Sequence, residues 1–115
     1  VTGVQTCALP ISGQTAHNVD GEVVGLGDLA TQIEQTYANV VTALEGAGAT
    51  FADVAKLTMY VVGWSVDQLP ALSDGIGRAA ARLQIDPRSA LTLVGVQALV
   101  EPDLLVEIEA VAVLP

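Results

Sequence analysis

The segment that most constrains this chain is Leu104–Leu114, LLVEIEAVAVL. Val106, Ile108, Ala110, Ala112 and Leu114 alternate along it as one unbroken apolar face, the period-two pattern of a β-strand. The opposite face carries Leu105, Val111 and Val113 beside Glu107 and Glu109, so it is apolar as well. A strand of this kind has to be covered from both sides. With 115 residues there is room for one domain and few covering elements.

The rest of the chain alternates between two periods. Residues 9–16 predict a short strand, and Asp20–Gly21 in the polar stretch after it is a hairpin signal leading into Glu22, Val23 and Val24. Asp28 is placed to cap a helix over 29–45. Leu29, Ile33, Tyr37, Val40, Val41 and Leu44 give that helix its apolar stripe, and Gly46 and Gly48 end it. A capped turn over 50–54 feeds a strand at 55–62, in which Leu57, Met59 and Val61 share one face. A second helix carries Leu69, Leu72, Ile76 and Leu83, and Asp86–Pro87 breaks it. Strands at 90–99 and 104–114 follow. The order is ββαβαββ, an α+β domain of one sheet with two helices on one face.

Two helices cover one face of such a sheet and leave the other, with its apolar residues, in water. Apolar patches of that size mark interfaces, so an oligomer formed through the sheet is expected. A third layer supplied by the N-terminal segment is the alternative. Residues 1–10, VTGVQTCALP, read like a translated sequencing-adapter leader, which would start the native domain at Ile11, or else as an ordinary first strand.

Charge and cysteine usage narrow the partners. Four basic side chains against 13 acidic ones give a net charge of −9, which repels phosphate backbones and anionic lipid surfaces. The single cysteine, Cys7, permits neither an intrachain disulfide nor a multi-cysteine zinc site. The single histidine, His17, lies in the predicted turn and is expected to face solvent. No basic leader and no apolar run of membrane-spanning length is visible, so the cytoplasm is the default location.

Several segments, in order and spacing, resemble the Rid (YjgF/RidA) family of reactive-intermediate imine deaminases. They are Ser12–Gly13–Gln14, Gly21–Glu22–Val23–Val24, Gly46–Ala47–Gly48–Ala49–Thr50, Asp53–Val54–Ala55–Lys56–Leu57–Thr58 and Leu105 to Val113, and the match covers residues 11–115. The resemblance implies a chorismate-mutase-like fold. It also implies a homotrimer whose three sheets form a barrel-like core, with clefts between subunits and neither metal nor organic cofactor.

The resemblance further implies that an arginine before the penultimate strand holds the substrate carboxylate, while the first glutamate of an E-I-E segment orients the attacking water. The glutamate falls on Glu107, with Glu109 as a supporting or solvated neighbour. Ser12 and Gly13 match the pocket lining, and Ser73 stands nearest the family's asparagine. The arginine departs from the pattern. Aligned on Val94–Gly95–Val96, the motif P-A-R-x-x-V-G-V puts Leu91 in its place, and the nearest cation is Arg88. Arg88 either binds a carboxylate-bearing metabolite or forms a surface ion pair with Asp86.

Two functions therefore compete: hydrolytic deamination of enamine or imine intermediates of the 2-imino acid type, or a non-catalytic trimer that holds a small metabolite. A mutase acting on a dianion would need more cations than three arginines and one lysine supply.

Overall fold

Asp28 starts the first helix as expected. In the computed structural model its carboxylate accepts from the Thr31 backbone N–H at 3.1 Å and the Thr31 hydroxyl at 2.7 Å. The hydroxyl bond foremost holds the Asp28 carboxyl below the usual carboxylate range. The structure describes residues 7–114. Its main elements are β1 (Cys7–Gln14), α1 (Leu29–Gly46), β2 (Val54–Val62), α2 (Leu69–Leu83), β3 (Ala90–Val96) and β4 (Val106–Leu114). Short 3₁₀ turns at Phe51–Asp53 and Val66–Gln68 lead into β2 and α2. Of the stretch 1–10 read as a leader, residues 1–6 lie outside the described residues, and Cys7–Pro10 belong to β1.

The four strands form one sheet in the order β1-β4-β2-β3. β4 lies antiparallel to both β1 and β2, while β2 and β3 run parallel and are joined through α2. The α+β architecture, one sheet with two helices, is as expected. Two details differ. The strand expected over Glu22–Val24 is reduced to a single bridge between His17 and Val23. Gly25 at φ +85° turns the chain away just beyond it, while on the edge of this segment that faces away from Val23 the Asn39 side chain takes the carbonyls of Thr15 and His17 at 2.7 and 2.8 Å. The second helix ends before Asp86–Pro87, because Gln84 adopts a left-handed cap at φ +53°.

The core lies between the sheet and the helices. Val106, Ile108, Ala110 and Ala112 of β4 are buried beside Leu57, Met59 and Val61 of β2, under Ile33, Tyr37, Val40 and Leu44 of α1. Helix α2 packs on α1, and Gly75 lets it approach closely. A Cβ at Gly75 would lie 2.8 Å from the Ala30 carbonyl oxygen and from Ile33 Cβ. The opposite face has no covering element among the described residues. Pairing of Tyr60 with Glu107, Thr58 with Glu109 and Lys56 with Val111 puts these side chains together on that open face. Val94 and Val113 are among its exposed apolar residues. The face is mixed, since Lys56, Thr58 and Tyr60 of β2 stand on it beside these valines.

Candidate functional site

Glu107 and Gly13 meet. β1 and β4 pair regularly from Cys7 to Ile11, but the register shifts between Ile11 and Gln14, which takes Ser12 and Gly13 out of the ladder. An irregularity of this kind re-aims the chain locally. Here it brings the Gly13 backbone against the Glu107 carboxylate, so that a Cβ at Gly13 would lie 1.9 Å from Glu107 Oε2. Any side chain larger than hydrogen at residue 13 would displace that oxygen. Glu107 itself is half-buried on the open face, and Ser12 is exposed at the same irregularity.

Two carboxylates on this face do different things. Glu109 accepts a hydrogen bond from the Tyr60 hydroxyl at 2.6 Å. That bond raises the Tyr60 phenol above its ordinary value, with the charges of Glu109 and Glu107 adding to it. Glu107 accepts no side-chain hydrogen bond among the described residues. It is the carboxylate left free to engage a water or a ligand.

The other predicted site residues are not brought to Glu107 within one chain. Arg88 turns its fork onto Asp86, with Nε at 3.0 Å from Oδ1 and Nη2 at 2.7 Å from Oδ2. The Arg88 side chain is 88% exposed, so this is the surface ion pair. It pulls the Asp86 carboxyl down to about 2. Leu91 pairs with Leu57 across the parallel ladder and therefore stands on the helix side of the sheet, opposite to Glu107. Ser73 is exposed on α2, in the helix layer. A ligand touching Glu107 together with residue 91 or 73 would need surfaces from more than one copy.

The family model described as Endoribonuclease L-PSP matches residues 3–114. The chain belongs to this family, the Rid (YjgF) proteins. Among solved structures, the Rid chain is similar to a Rid-family protein of unknown function from Yersinia pestis. The two are 46% identical, the match covers 93% of this chain and 78% of the other, and the TM-score is 0.79. The YjgF gene product of E. coli is 28% identical over 99% of this chain and 89% of its own, with a TM-score of 0.78. A YjgF-family member from Mycobacterium tuberculosis is 29% identical over 93% and 79%, with a TM-score of 0.71. No curated protein matches the chain.

Sequence reasoning missed the residues that hold the segments around this candidate site in place. Asn39, on α1, clamps the Thr15 and His17 carbonyls just after Ser12–Gly13. His17 is not a free surface group. It is half-buried, with Nδ1 at 2.7 Å from the Thr15 hydroxyl and Nε2 at 3.1 Å from Glu101, so it ties this segment to the β3–β4 connection. Gln32 is fully buried. Its amide donates to the carbonyls of Gly25 at 3.0 Å and Asp103 at 2.9 Å, and its oxygen accepts from the Leu105 N–H at 2.9 Å. Polar residues on an amphipathic helix signal only a solvated face, and nothing local marks these as loop clamps. No group of three or more His, Cys, Asp or Glu able to hold a metal ion is present among the described residues. No helix there is long and apolar enough to cross a membrane.

Proposed function

We propose that this Rid protein is a cytoplasmic, cofactor-independent hydrolase of enamine and imine intermediates, working as a homotrimer with its clefts between copies. The observation that carries the reading is the Gly13–Glu107 contact, a carboxylate seated where residue 13 has no side chain, on a face that copies of the chain would cover. In the reaction, Glu107 takes a proton from water as the water oxygen adds to the imine carbon. It then returns that proton to nitrogen, giving the carbinolamine. Glu107 next takes the carbinolamine hydroxyl proton and passes it to the amine nitrogen, so that the carbonyl forms as the C–N bond breaks and ammonia leaves. An endoribonuclease reading fits poorly, because a net charge of −9 opposes a polyanionic substrate.

The test is ammonia release from freshly generated 2-iminopropanoate by the wild type and by Glu107→Gln. Release by the wild type that falls by ~10²–10⁴ in the variant is expected if Glu107 is the general acid–base. Equal rates would overturn the assignment. A second reading, a non-catalytic trimer that binds a small carboxylate-bearing metabolite, is favoured by Leu91 in the arginine position and by the Arg88–Asp86 pair. It predicts saturable binding of such a metabolite with no ammonia release.

A further inference from the structure

The cations of this chain are unequally treated. Arg78 pairs with Asp74, Arg82 with Glu34 and Arg88 with Asp86. Lys56, the single lysine, has neither a salt bridge nor a hydrogen bond from its side chain among the described residues, in a chain with 13 acidic groups. It stands on the open face of β2, the second of the two middle strands. Beside it is a cleft of about 200 Å³ lined by Pro10, Lys56, Thr58, Glu109 and Val111. Its diagonal neighbour Glu109 is turned away, with Oε1 on the Tyr60 hydroxyl. Glu109 Oε2 has no partner among the described residues. The Glu107 site is separate, since Lys56 faces Val111, four residues or ~13 Å along β4.

A lysine covered by apolar surface without a counter-charge is strongly disfavoured, and within its own chain Lys56 makes no ion pair among the described residues. We propose that Lys56 of one copy pairs with Glu109 of the next across the open sheet face, entering the cleft beside Thr58, and that this pair sets the rotational register of the assembly. The inference rests on the reading that copies cover this face. Repeated around a closed ring, each copy supplies one Lys56 cation and one free Glu109 carboxylate oxygen, so the pair is formed once per copy. A slipped register would separate the two charges, which is what makes such a pair selective.

The test compares Lys56→Glu, Glu109→Lys and the double exchange with the wild type by sedimentation equilibrium at micromolar concentration. Each single reversal sets like charges face to face, and a dissociation constant at least tenfold higher is expected. The double exchange should restore the wild-type mass. Singles that assemble like the wild type, or a double exchange no better than either single, would overturn the pair. If a reversal fails to fold, Lys56→Met and Glu109→Gln serve instead. Together they should weaken association no more than the worse of the two alone, and additive losses would count against the pair. A wild type that stays monomeric strikes the covered-face reading itself, whereas an assembled wild type with unaffected singles strikes only the ion pair.

Discussion

Glycine at residue 13 does for the site what no side chain could do. Its missing Cβ is the space in which Glu107 Oε2 rests, so Gly13→Ala should move the carboxylate while leaving the sheet intact. We expect an unchanged circular dichroism spectrum and a drop in imine hydrolysis on the order of 10²-fold, the usual cost of misplacing a reacting group by about an ångström. Loss of the fold in this variant would instead give Gly13 a structural role. Arg88 and Asp86 allow a second check at this scale. Asp86 is held at about 2, chiefly by the Arg88 hydrogen bonds, against an ordinary value of 3.8. A depressed carboxylate favours the folded state above its unfolded pKa and loses that effect as pH falls through its folded value. The Asp86 carboxyl carbon should therefore titrate by NMR near about 2, and Arg88→Ala should return it towards 3.8. A midpoint that does not move in Arg88→Ala would mean that Arg88 does not hold Asp86 in solution.

Among the elements, the contact between the two helices is the most sensitive to volume. Gly75→Ala raises helix propensity, but the new methyl meets the Ala30 carbonyl and Ile33 at 2.8 Å. Overpacking should win, destabilising the chain by about 1–3 kcal/mol in urea unfolding. A stabilised variant would show that α2 shifts freely on α1. Arg78 and Arg82 of α2 cross to α1 through Thr31 at 3.2 Å and Glu34 at 3.1 Å, contacts that no local pattern announces. This marks where sequence reading stops. The stripes Leu29–Leu44 and Val106–Leu114 were legible because period and burial are set by the same geometry. Glu107 and Gly13 were legible through a resemblance, and the register shift that joins them was not. Asn39, Gln32 and His17 were hidden because each acts on backbone groups distant in sequence, and no local pattern records such contacts.

At the scale of the whole molecule, an open sheet face with Val94 and Val113 exposed calls for a second surface to cover it. Sedimentation equilibrium should give three times the chain mass, and a soluble monomer at micromolar concentration would remove the intersubunit cleft. Leu91→Arg tests the same cleft by chemistry. Residue 91 stands on the side of the sheet opposite to Glu107, so a new guanidinium can help an imino acid only across copies. Activity raised roughly tenfold to a hundredfold, the worth of a charged hydrogen bond, is expected, and no gain in an intact trimer would separate the two residues. Gln32 has a dynamic consequence. One buried side-chain amide closes the Gly25 turn and the Asp103–Leu105 strand entrance together, so neither can open alone. In native-state hydrogen exchange the Leu105 amide should then belong to one cooperative opening unit with the start of α1. The slow breathing of the strand that carries Glu107 would be timed by a helix on the far side of the sheet.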